Sequence, residues 1–148
     1  MTPARQVTAS AQQIETGAHR HGDSSQPPRP DPAERRRRFG VLARKTYAAR
    51  RRRGAIFGQA DLFGEPAWDI LIDLYINHVE SKDVSVSSAC IGSAAPATTG
   101  LRWLGVLAEN DLVLREHDPD DQRRVLVRLT ERGLEAMDRY FALASGAL

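Results

Sequence analysis

The sequence predicts a mainly α-helical domain carrying one small β-hairpin, and three observations lead there. The stretch "GEPAWDILIDLYINHVE" places Trp68, Leu71, Ile72, Tyr75, Ile76 and Val79 at i, i+3, i+4, i+7, i+8 and i+11. That spacing is one buried helix face. In "LVLREHDPDDQRRVLVRLT", Leu112 and Leu114 alternate before an acidic turn and Val125, Val127 and Leu129 alternate after it, as in two half-buried strands. Apolar residues make up 41% of the 148 positions and aromatics only 6%, enough for the core of one domain.

The elements follow in order. Residues 1–30 are polar and interrupted by Pro27-Pro28-Arg29-Pro30, so a disordered tail is expected there. Asp31-Pro32 reads as a helix cap followed by proline at the first helical position. A basic helix is expected over 31–53, with Phe39, Leu42, Ala43 and Tyr47 as a partial apolar stripe, before Gly54, Gly58 and Gly64 loosen the chain. Pro66 opens the helix that carries Trp68 to Val79. "VSVSSACIGSA" predicts a short small-residue helix, and "APATTGLRWLGVLAEN" a second one entered through Pro96, with Trp103, Leu104 and Leu107 inward. Asp118-Pro119-Asp120 is turn chemistry between the two strands. Thr130 can cap a last helix over 131–148, in which Leu134, Met137, Phe141 and Ala144 repeat at helical spacing. A lone domain would leave that stripe partly exposed, which points to a partner.

Composition narrows the function. No apolar run reaches the ~18 residues of a membrane span, and residues 1–30 lack the apolar core of a signal peptide. A single cysteine, Cys90, allows no internal disulfide and fits a reducing cytoplasm, where the chain is expected to act. The net charge of +2 hides an asymmetry. Residues 29–53 hold eleven Arg/Lys against two acidic residues, a net of +9, whereas residues 54–148 hold eight against fifteen, a net of −7. The sequence has no Gly-rich phosphate loop, nucleophile elbow or strong metal-ligand spacing. An enzyme, a cofactor or a metal centre is therefore not expected.

Two helices joined by a tight turn and followed by a hairpin describe a winged helix-turn-helix. The second helix can enter a DNA major groove by its N-terminal residues. The hairpin tip can reach a narrow minor groove, whose negative potential attracts arginine. Arg123 and Arg124 at the tip are therefore candidate DNA contacts, and Asp121, two residues before Arg123, can brace that guanidinium.

At this point the chain resembles the MarR (multiple antibiotic resistance regulator) family of winged-helix transcription factors over residues 65–145. "LAENDLVLRE" is similar to the family's end of the recognition helix and start of the wing, "DQRRVLVRLT" to its wing, and "TERG" to the start of the following helix. The resemblance implies that Arg123 enters the minor groove with Asp121 as its partner, and that Thr98, Thr99 and Arg102 read the major groove. It also implies a homodimer built from helices 31–53 and 131–148. A small-molecule effector of phenolic type, bound between those helices and the DNA-binding lobe, belongs to the same implication. Where the family usually has glycine, this chain has Asp111, which tolerates the left-handed conformation that ends a helix. Gly100 replaces a usual β-branched residue in the recognition helix, at about 1 kcal/mol relative to alanine.

Blander roles fit several of these residues. Cys90, between Ala89 and Ile91, reads as buried core rather than a redox sensor, and Trp68 and Trp103 as core. His117, Asp118, Asp120 and Asp121 read as turn and capping residues rather than metal ligands. Arg35–Arg38 and Arg50–Arg53 fit either the wet face of a dimer helix or phosphate contact. The alternative function is a winged helix used for protein–protein contact, or an adaptor whose basic arm alone binds nucleic acid non-specifically.

Overall fold

The computed structural model describes residues 29–146. Helix α1 spans Pro32–Phe57, capped by Asp31, whose carboxylate accepts the Ala33 N–H. It runs past the expected end at Arg53 because Gly54 continues the helix, and the left-handed Gly58, at φ 73°, stops it. A single 3₁₀ turn, Ala60–Phe63, leads to α2, Pro66–Val79. A strand too short for the sequence pattern to reveal, β1 (Val84–Ser85), precedes α3 (Val86–Gly92) and α4 (Ala97–Glu109). Strands β2 (Val113–His117) and β3 (Val125–Leu129) form the hairpin, and α5 closes the fold over Glu131–Ala144. The sheet is antiparallel, in the order β1-β3-β2. Of the expected tail, residues 1–28 lie outside the described residues, as do 147 and 148 of the expected last helix; Arg29 and Pro30 are exposed and belong to no helix. Among the described residues no helix is long and apolar enough to cross a membrane.

Helix α2 is the hub. Its apolar spacing predicts one buried face, but Asp69, Ile70, Ile72, Leu74 and Tyr75 are all buried while Trp68, Leu71, Ile76 and Val79 are half-buried. Neighbours on nearly every side explain this, since α1, α3, α4, α5 and β3 all pack on it. The buried Tyr75 hydroxyl donates to Asp138 Oδ1 at 2.7 Å, and Arg36 donates to Asp138 Oδ2 at 2.9 Å. Desolvation and that carboxylate push the Tyr75 phenol well above its ordinary range. Arg36, one of the first arginine run, therefore ties α1 to α5.

Arg50 departs further from the expected solvated or phosphate-binding role. Its side chain is 11% exposed and donates from Nε to Asp69 at 2.6 Å, and it also pairs with Glu65. Arg51 stacks over the Tyr47 ring, 5.1 Å from its centre. Part of each basic run is thus spent inside the fold.

Two expectations about apolar faces are corrected. On β2 the inward residue is Val113, buried opposite Leu129, whereas Leu112 and Leu114 are only half-buried. Every second residue of a strand shares a face, and here the phase is shifted by one position. On α5 the stripe of Leu134, Met137 and Phe141 is buried within the chain itself, leaving Ala144 exposed. It therefore does not by itself argue for a partner.

Gly133 sits where α5 crosses Leu112, in the loop that follows α4. A methyl group there would fall on the Leu112 carbonyl oxygen and lie 3.1 Å from its carbon. That explains the glycine of "TERG".

Candidate nucleic-acid interface

The turn between α3 and α4 is built from small residues. Ser93 is buried, its hydroxyl donates to the Cys90 carbonyl at 2.5 Å and accepts from the Ala95 N–H at 3.3 Å, and Ala94 takes a left-handed conformation at φ 56°. These bonds replace the helix ladder across the break. Cys90 is buried, as expected, and burial raises its thiol pKa, so it is a weak nucleophile.

Gly100 is needed for the two helices to approach. A Cβ at this position would lie 3.0 Å from Cys90 Cα and 3.1 Å from Ser93 Oγ. The propensity cost expected from the sequence is real, but alanine would not recover it. Gly100→Ala is expected to lose up to about 2 kcal/mol of stability, since overpacking costs about 1–3 and better helix propensity returns about 1. Chemical denaturation checks this; a stabilised variant would show that the helices can part cheaply.

Helix α4 buries Gly100, Leu104 and Leu107 and turns the opposite side to solvent. Thr98 and Arg102 are exposed on that side, and Thr99 is half-buried. No side chain caps the helix at Pro96, so the amide N–H groups of its first turn lack helical partners. At the other end Asp111 stands in the left-handed region, φ 55°, as its side-chain type allows.

The hairpin tip is held by its aspartates. Asp118 Oδ1 accepts the Asp120 N–H at 2.8 Å, and Asp118, 11% exposed in its side chain, pairs with Arg124 at 3.3 Å. Asp121 Oδ1 accepts both the backbone N–H of Arg123, at 3.1 Å, and its Nε, at 3.2 Å. Arg123 is nevertheless 93% exposed. The brace fixes the near end of the guanidinium and leaves its outer edge free. Arg124 is more engaged, because its partner Asp118 belongs to the turn. Asp118 and Asp121 thus have the turn roles expected of them. Nothing in the sequence marks Arg115, and His117 is expected only in a turn or capping role. Both lie on the same wing, as the middle and last residues of β2, where only the strand register decides their face.

A family model described as a winged helix DNA-binding domain matches residues 74–133. No curated protein matches the chain. Among solved structures, the chain is similar to a mutant of S. aureus MepR at 18% identity, covering 75% of this chain and 79% of that one, with a TM-score of 0.46. It is similar to a probable transcriptional regulator from Pseudomonas aeruginosa at 26% identity, covering 73% and 80%, with a TM-score of 0.42. It is also similar to apo (heme-free) PefR at 16% identity, covering 78% and 99%, with a TM-score of 0.40. The element order and the three-stranded sheet agree with the fold expected from the sequence, and the family match falls on that part of the chain: residues 74–133 are similar to a winged helix DNA-binding domain and fold as a winged helix.

Proposed function

We propose that the chain is a dimeric, sequence-specific transcription regulator of the MarR type. Thr98, Thr99 and Arg102 on α4 read base edges in the major groove, and Arg123, braced by Asp121, enters the adjacent minor groove. Arg124 supports the wing and contacts the backbone. The observation that carries the reading is the pairing of two outward groups in one domain: the polar side of α4 and an arginine fixed at its base but free at its tip. Phosphate contacts position such a domain and base-edge contacts specify its site.

The dimer is assigned to α1 and α5, with the burial of Leu134, Met137 and Phe141 moving its apolar surface elsewhere. Val41 is 53% and Leu143 66% exposed, and a groove of about 590 Å³ between these helices is lined by Phe39, Val41, Leu42 and Ala144 together with Arg35, Arg38 and Lys45. Exposed apolar surface of this kind marks an interface. Residues 31–148 then form one unit of reading head and dimer helices, and a small-molecule effector would act by changing the angle between them.

Arg123→Ala is expected to lose about 1–3 kcal/mol of affinity for a specific duplex while the fold stays intact. Fluorescence titration at fixed salt measures it, and unchanged affinity removes Arg123 from the interface. The net charge of −7 over residues 54–148 favours a second reading, a winged helix that binds protein. Failure to bind either specific or random duplex at low salt supports that reading instead.

A further inference from the structure

The wing and α3 border a second, open cleft, of about 630 Å³, lined by Ser87, Arg115, Glu116, His117, Arg123 and Arg124 among others. Strand alternation puts Arg115 and His117 on the face of Val113, the face whose base is packed on the core and whose outer half is open. The neighbouring carboxylates are already engaged. Glu116 pairs with Arg128 at 2.9 Å, Asp118 with Arg124 at 3.3 Å, and Asp121 with Arg123 at 3.2 Å. Arg115 takes part in none of these pairs, and the one carboxylate residue that lines the cleft, Glu116, is the one paired with Arg128. His117 forms the outer wall, its Nδ1 held 3.2 Å from the Gln122 carbonyl oxygen.

Ser87 also borders the groove that Ala97 and Leu101 of α4 line. The cleft therefore lies between the two reading groups, on the wing side of α3.

We infer that this cleft takes a phosphodiester of the DNA backbone, the one that passes between the groove read by α4 and the groove entered by Arg123, with Arg115 as its charge partner and Ser87 as a hydroxyl donor. The inference rests on the DNA-binding reading above. A cation with no carboxylate partner among the described residues, facing hydroxyls across an open cleft, suits a single anionic group that follows a polymer. An arginine engaged this way releases a counterion and reads no base.

The test uses the full chain with Arg115→Gln, titrated against a duplex enriched from a random pool and against random duplex, each at several salt concentrations. The variant is expected to weaken both alike, to flatten the salt slope by about one unit, and to keep the ratio between them. A neutral methylphosphonate at one backbone position of the enriched duplex should weaken the wild type and leave Arg115→Gln unaffected. Wild-type binding with an unchanged slope in the variant, or a variant that loses discrimination, overturns the phosphate site alone. A wild type that binds no duplex overturns the proposed function, and the site with it.

Discussion

Asp69→Ala is expected to lower the unfolding free energy by about 3 kcal/mol, the lower end of the range for breaking a buried ion pair. Asp69 is 7% and Arg50 11% exposed in their side chains, and the pair is 2.6 Å apart. Removing the carboxylate leaves a guanidinium desolvated between α1 and α2. Glu65 still pairs with Nη1, which keeps the loss from reaching the top of the range. Arg50 Nη2 already lacks a hydrogen-bond partner among the described residues, so little else can compensate. The charge itself is not the source of stability. Replacing both partners at once, Arg50→Met with Asp69→Leu, should recover most of the loss, because well-packed apolar pairs often match buried ion pairs. Urea denaturation of the two variants decides this. A single variant within 0.5 kcal/mol (roughly the scatter of surface substitutions) would mean that Arg50 swings out to solvent, and the basic run would return to the pool of phosphate contacts.

Phe141→Ala is expected to cost about 3–5 kcal/mol, the usual range for a fully buried aromatic. Phe141 has no exposed surface, and its ring lies 5.2 Å from that of Tyr75 and 5.1 Å from that of Tyr140. The size of the loss depends on how far the neighbouring rings of Tyr75 and Tyr140 can close the cavity left behind. The loss should appear in the unfolding transition of dilute protein, independent of concentration. A loss that grows on dilution would assign Phe141 to the contact between copies, as its helical stripe first suggested. Leu143→Ser is the counterpart: at 66% exposure it should leave the fold intact and weaken the dimer.

The helices were legible because burial of one face leaves a periodic trace, and α2, α4 and α5 all carry it. The wing was legible from its turn chemistry, since Asp118 and Asp121 occupy the positions that side-chain-to-backbone bonds require. What could not be read depended on tertiary partners. Leu112 and Val113 are both apolar, so only the pairing of Val113 with Leu129 decides which of them faces inward. Strand β1 has two residues and leaves no period. Gly100 looked like a propensity cost until α3 was seen within a methyl group's reach. The arginine runs looked uniform, yet Arg36 and Arg50 are bound to Asp138 and Asp69, from distant parts of the chain. Arg123 stood out as a candidate because a motif carries it. Arg115 did not, because whether it lacks a partner depends on which carboxylates its neighbours have already claimed.

The central claim, that this winged helix reads sequence as a dimer, is tested most directly by selecting fragments of the source genome on the full chain and titrating the enriched duplex against random duplex. A dimeric reader should enrich an inverted repeat whose half-sites lie about one helical turn, or a multiple of it, apart. Arg102→Ala should lose discrimination between the two duplexes more than it loses affinity for random DNA. Uniform recovery of fragments with no shared motif, or an enriched duplex bound no better than random, would contradict it.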